Sequence, residues 1–247
     1  MIVQTESVTI PVGGSPMRMF VVRPKAEGRY PGILLYSDIF QLTATMLRAC
    51  VRLAGYGFVV AAPEIYHRLE APGWAPAFDD AGRTRGMDDA NNTAVAEFDA
   101  DARATLDYLA SHPAVAPGQL GAGGFCIGGH LAFRAALQPD VKATACCYPT
   151  GVHNGKLGRD ADAGTLARFS EIRGELLLVF GTLDPHVPSE GRVAIEAALA
   201  KAGTKTSTKL YPAEHAFMRD EGPRFDPEAT DLAWADMIGL YRRTFGA

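Results

Sequence analysis

The segment Gly124-Phe125-Cys126-Ile127-Gly128-Gly129 sets a thiol at the junction of an apolar run, Leu120 to Gly123, and a helical pattern, His130 to Leu137. A sharp strand-to-helix turn of this kind presents its central side chain as a nucleophile, and here cysteine holds the place usually given to serine. The flanking glycines leave room for a strained backbone and close helix packing. A helix beginning at Ile127 aims unpaired amide N–H groups at the sulfur, where they favour negative charge and can hold an oxyanion.

A cysteine among apolar residues and glycines is, taken singly, most often an inert core residue. What argues for chemistry is the company it keeps. Leu176-Leu177-Leu178-Val179-Phe180 reads as a buried strand and ends in Gly181-Thr182-Leu183-Asp184-Pro185, so a carboxylate lies just past a strand end, where open sheets of this class keep their sites. Lys205 to Tyr211 reads as another strand and leads into Pro212-Ala213-Glu214-His215-Ala216-Phe217. Asp184 alone is a turn former and His215 alone a loop histidine. Together with Cys126 they give the order nucleophile, acid, histidine, each member after its own strand, which is the order of one class of hydrolytic triad.

The elements that must position these residues alternate. Val8 to Val12 and Met17 to Val22, joined by Gly13-Gly14-Ser15-Pro16, predict an antiparallel hairpin at a sheet edge. Strands follow at Gly32 to Tyr36, Phe58 to Ala62, the run before Cys126, and Ala143 to Tyr148. Helices are expected over Thr43 to Ala54, Asp89 to Ser111 with Asp88 or Asp89 as cap, Ser189 to Ala202, and Pro227 to Phe245. This alternation predicts an α/β protein with a mostly parallel, doubly wound sheet and helices on both faces. Two irregular segments, His67 to Met87 and Tyr148 to Thr165, follow predicted strands and are expected to rim the site.

Composition narrows the class of function. The chain has 247 residues, fits one α/β domain, and is 47% hydrophobic and 21% charged with a formal net charge of -4. No block of like charge points to nucleic acid or an anionic membrane surface, and no apolar run is long enough for a span. The first residues, Met1 to Glu6, lack a signal-peptide pattern, so a cytoplasmic location and small-molecule partners are expected. Cys146 and Cys147, adjacent on a strand, should point to opposite faces. With Cys50 they read as packing residues, and no disulfide or metal-ligand spacing is evident.

These residues resemble the dienelactone hydrolase family (carboxymethylenebutenolidase-like enzymes) over nearly the whole chain. The likeness is carried by Gly124 to Gly129 with cysteine in the turn, by Asp184 placed 31 residues before His215, and by His215-Ala216-Phe217 followed by Arg219. It implies an α/β-hydrolase fold and the opening of a small lactone, or cleavage of a related carboxylic ester, through a Cys126-His215-Asp184 triad and a thioester, with no metal or cofactor. It further implies that the backbone N–H groups of Ile39 and Ile127 form the oxyanion hole, and that Arg219 binds a substrate carboxylate together with an arginine of the first long loop, Arg85 or, close behind, Arg83. Where well-known family members carry a glutamate that interacts with the resting thiol, this chain has Asp38, one methylene shorter. The alternatives are a broader carboxylesterase or thioesterase with the same triad, and a non-catalytic binder or thiol sensor on the same fold. Whether the chain is a monomer or a homodimer is not written in these features.

Overall fold

Leu176, Leu178 and Phe180 pack on one side of their strand and Leu177 and Val179 on the other, and the whole sheet repeats this division into two apolar layers. A computed structural model describes residues 1–246. Eight strands form one sheet: β1 (Val3–Val12), β2 (Ser15–Pro24), β3 (Tyr30–Tyr36), β4 (Val59–Pro63), β5 (Val115–Phe125), β6 (Val141–Cys147), β7 (Glu175–Gly181) and β8 (Thr206–Tyr211). Their spatial order is β1-β2-β4-β3-β5-β6-β7-β8. From β4 to β8 all pairings are parallel, whereas β1 and β2 pair antiparallel and β2 joins β4 antiparallel. The edge hairpin turns at Gly13 and Gly14, whose φ values of +56° and +83° suit the two-residue link between Val12 and Ser15.

Among the described residues the α-helices are α1 (Ala44–Gly55), α2 (Asp80–Asn92), α3 (Val95–Ser111), α4 (Ile127–Ala136), α5 (Ser189–Ala202) and α6 (Pro227–Phe245). Leu106, Leu131, Phe133, Ile195 and Leu199 place α3, α4 and α5 on one face, while Cys50, Leu53, Trp234, Met237 and Tyr241 place α1 and α6 on the other. Cys146 lies in the first layer and Cys147 in the second, as neighbouring strand residues must.

The helix expected over Asp89 to Ser111 is two helices. Thr93 and Ala94 are extended and separate α2 from α3. Tertiary partners make the break favourable: Asp160 accepts from the Val95 amide at 2.7 Å, and the Arg159 amide donates to the Thr93 carbonyl at 3.0 Å. Glu97 also accepts from the Ala94 amide at 2.7 Å. Neither Asp88 nor Asp89 is a cap; α2 begins earlier, where Asp79 accepts from the Gly82 amide at 2.7 Å. The second half of the expected His67 to Met87 loop is therefore helical.

Candidate active site

Cys126, Asp184 and His215 follow the C-terminal ends of β5, β7 and β8, on one edge of the parallel part of the sheet. Cys126 has φ +60° and ψ -122°, a region that costs a non-glycine residue on the order of 1–3 kcal/mol. The surroundings hold it there. Its amide donates to the Cys147 carbonyl at 3.1 Å, and its carbonyl accepts from the amides of Gly129 at 3.0 Å and Thr150 at 3.2 Å. A Cβ on Gly124 would overlap the Gly128 carbonyl, and one on Gly128 would overlap the Ser37 carbonyl, so the tight turn requires glycine at both positions. Cys126 is half-buried, unlike the fully buried Cys50, Cys146 and Cys147, whose thiols burial pushes up.

His215 Nδ1 lies 2.7 Å from Asp184 Oδ2, and both residues are 4% exposed. The ionised carboxylate has only acceptors, so Nδ1 carries the proton and Nε2 is left for the sulfur. Burial would lower the proton affinity of His215, but a negative charge on Cys126 and the hydrogen bond to Asp184 outweigh it and push the pKa up to about 9. Burial works against the Asp184 carboxylate as well, yet the His215 bond and the His186 amide, which donates at 2.7 Å, hold it below its ordinary value. The rings of His186 and Tyr148 pack edge-on against His215, with centroids 4.7 and 5.2 Å away.

The Cys126 sulfur has Thr150 Oγ1 beside it at 4.0 Å. Thr150 is anchored from below: its carbonyl accepts from His130 Nδ1 at 3.0 Å, and His130 Nε2 accepts from Thr165 Oγ1 at 2.8 Å. Arg134 completes the chain with bonds to Thr165 Oγ1 at 3.1 Å and Asp99 at 2.6 Å. Burial keeps His130 neutral, with its pKa down to about 3. The segment Tyr148 to Thr165 thus reaches the sulfur through Thr150 and is braced through the base of α4.

Among the described residues, neither the Ile39 nor the Ile127 amide has a hydrogen-bond acceptor within the chain. Ile39 is held by helix packing: a Cβ on Gly86 of α2 would overlap its carbonyl oxygen. Asp38 does not turn to the sulfur. One carboxylate oxygen accepts from the Phe40 amide at 2.8 Å, and the other pairs with Arg219, whose Nε is 3.0 Å away. The Arg219 guanidinium lies against both the Phe40 and Phe78 rings, 4.8 and 4.9 Å from their centroids, and the two rings pack edge-on with centroids 4.7 Å apart. The two arginines expected on the first long loop lie instead on α2, each with partners of its own. Arg85 is half exposed and pairs with Glu70 and Asp89, and Arg83 is exposed and pairs with Asp80. Sequence reading assigned no role to Tyr148, Thr150, His186 or Phe78; only the position of Thr150 after a strand end and of His186 two residues past Asp184 could have marked those two. Among the described residues no cluster of three or more His, Cys, Asp and Glu is arranged to hold a metal ion, and no helix is long and apolar enough to cross a membrane.

Residues 17–245 match the dienelactone hydrolase family. The chain belongs to that family. A carboxymethylenebutenolidase-type protein of Saccharomyces cerevisiae is 37% identical over 93% of this chain and 88% of its own length. The carboxymethylenebutenolidase of a Pseudomonas species is 29% identical over 97% of this chain and 95% of its own. In fold, a dienelactone hydrolase-type structure from Klebsiella pneumoniae superposes with a TM-score of 0.85 at 23% identity, covering 98% of this chain and all (100%) of that one. A Pyrobaculum calidifontis esterase superposes with a TM-score of 0.70 at 21% identity, covering 99% and 86%. The sheet described above is thus the α/β-hydrolase fold, and this member of the dienelactone hydrolase family is a hydrolase.

Proposed function

We propose that this dienelactone hydrolase-family protein opens small lactones or cleaves related carboxylic esters through a thioester on Cys126. The observation that carries the reading is the paired arrangement of His215 between Asp184 and Cys126, with the Asp184 bond at 2.7 Å and the proton affinity of the imidazole raised by both neighbours. In that arrangement His215 takes the thiol proton and the Cys126 thiolate attacks the carbonyl carbon. The free amides of Ile39 and Ile127 receive the negative oxygen, each such donor being worth about 2.7–4 kcal/mol of barrier. Collapse breaks the bond to the ester oxygen, which leaves with the proton from His215; from an enol lactone it leaves as an enolate, which then takes that proton and frees Nε2. A water deprotonated by His215 then attacks the thioester, and the acid departs as the sulfur is restored.

The charge of the substrate divides two readings. Arg219, paired with Asp38, is the residue that family resemblance assigns to a substrate carboxylate, but Asp38 already neutralises it, while Arg85 and Arg83 have partners of their own. That pairing favours the second reading, a carboxylesterase for neutral acyl groups. Steady-state hydrolysis of a dienelactone beside neutral p-nitrophenyl esters, with wild type and Cys126→Ala, tests both. Efficient dienelactone turnover lost in the variant supports the lactone reading. Turnover of neutral esters alone transfers the proposal to the second, and undiminished turnover by Cys126→Ala rejects the cysteine mechanism.

A further inference from the structure

The turn after β6 brings Thr150 beside the Cys126 sulfur, and the Thr150 hydroxyl takes no part in holding the fold. Oγ1 and Sγ are 4.0 Å apart, in contact but too far for a strong hydrogen bond. Among the described residues this hydroxyl has no other partner, whereas those of Thr93 and Thr105 donate to the carbonyl four residues before them. Thr150 and Cys126 are both half-buried, so a reagent or substrate can reach the pair.

The backbone, by contrast, is fixed on every side. Tyr148, at φ +37°, is a bulky residue in the left-handed region, and its amide donates to the Val179 carbonyl at 2.7 Å. Two residues on, the Thr150 amide donates to the Cys126 carbonyl at 3.2 Å, while the Cys126 amide donates to the Cys147 carbonyl at 3.1 Å. These bonds tie the two strained positions, Cys126 and Tyr148, to each other. His130 Nδ1 holds the Thr150 carbonyl at 3.0 Å, and the Gly151 carbonyl accepts from the Lys156 amide at 3.0 Å. A Cβ on Gly151 would overlap the Lys156 carbonyl, so the loop closes tightly just past Thr150. The hydroxyl therefore turns about a Cα that is held next to the sulfur.

The protonation of the sulfur sets the direction of a bond between these atoms. With a neutral thiol either atom can donate; with a thiolate only the Thr150 hydroxyl can. A donor that serves the charged form alone favours that form, and a hydrogen bond to an ion is stronger than one between neutral groups. Asp38, on the neighbouring loop, is engaged by Phe40 and Arg219. We infer that Thr150 is a hydrogen-bond donor to the Cys126 thiolate, turning its hydroxyl proton onto the sulfur when His215 takes the thiol proton and again when the thioester is hydrolysed. The inference rests on Cys126 being the nucleophile.

Alkylation of Cys126 by iodoacetamide, followed by peptide mapping over about pH 5 to pH 10, reads the thiolate directly. Steady-state hydrolysis of p-nitrophenyl acetate is measured beside it. Thr150→Val replaces the hydroxyl by a methyl and keeps the shape. Its alkylation profile should move to higher pH by roughly one unit, and kcat/KM near neutrality should fall about tenfold. Thr150→Ala should do the same. Thr150→Ser should restore the profile and, to within about twofold, the activity, since it keeps the donor. A Thr150→Val profile that stays in place overturns the inference. So does a Thr150→Ser variant as impaired as Thr150→Val, which would mean that threonine acts through its methyl group. Alkylation needs no ester turnover, so the two readings fail separately. If Cys126→Ala still hydrolyses the ester, the nucleophile assignment falls; if it is inactive and the Thr150→Val profile is unmoved, only the role of Thr150 falls.

Discussion

At the scale of single residues, Cys126 and His215 form a coupled pair whose parts can be separated by substitution. Cys126→Ala keeps the turn, since alanine suits the same glycine-lined space, and is expected to lower kcat by at least about 10³-fold with the far-ultraviolet circular dichroism spectrum unchanged. Iodoacetamide in wild type should label Cys126 ahead of Cys50, Cys146 and Cys147, which are fully buried with their thiols pushed up; peptide mapping reads the order. Asp184→Asn should leave His215 in place but deprive it of the acceptor that selects its Nδ1–H tautomer. A fall in kcat of about 10⁴-fold is then expected.

At the scale of elements, the site depends on two contacts that bring distant chain segments to the strand ends. Gly86 lets α2 lie against the Ile39 carbonyl, and Gly86→Ala would push that loop away. The expected outcome is a loss of about 1–3 kcal/mol in urea unfolding, with a drop in kcat that persists well below the melting temperature. The second contact is Asp160, which caps α3 at the Val95 amide from 65 residues away in sequence. Asp160→Ala should cost about 1 kcal/mol, the usual worth of such a cap. The break it stabilises was illegible in the chain. Val95, Phe98, Ala102, Leu106 and Leu109 keep a helical period beyond it, and the preceding Asp89 to Asn92 continue the pattern without a Gly or Pro to interrupt it. The helix partners lie on a loop that only folding brings near.

At the scale of the whole molecule, two buried histidines shape stability against pH with opposite signs. His215 has its folded pKa raised to about 9, so its contribution is full below the unfolded value of about 6.5 and is lost as pH rises through 9. His130 has its folded pKa lowered to about 3, so its contribution is full above about 6.5 and is lost as pH falls toward 3, by up to ~1.4 kcal/mol per pH unit. Stability should therefore peak near neutrality. Melting temperatures from pH 4 to pH 10 check this. Cys126→Ala should flatten the alkaline side by removing the charge that raises His215, and His130→Gln should flatten the acid side.

The alternating apolar runs determined by themselves the succession of strands, every α-helix but the separate α2, the two-faced sheet, and the strand-end positions of Cys126, Asp184 and His215. Periodicity and turn residues are local properties, and the parallel sheet carries every such turn to one edge. The sequence also marked the place of Asp38 and Arg219 but not their relation. Only tertiary structure decided that they neutralise one another, with Arg219 against the Phe40 and Phe78 rings, that Thr150 stands beside the sulfur, and that Gly86 supports Ile39. Each of these joins residues from separate loops, whose side-chain partners depend on distances in space that no spacing along the chain encodes.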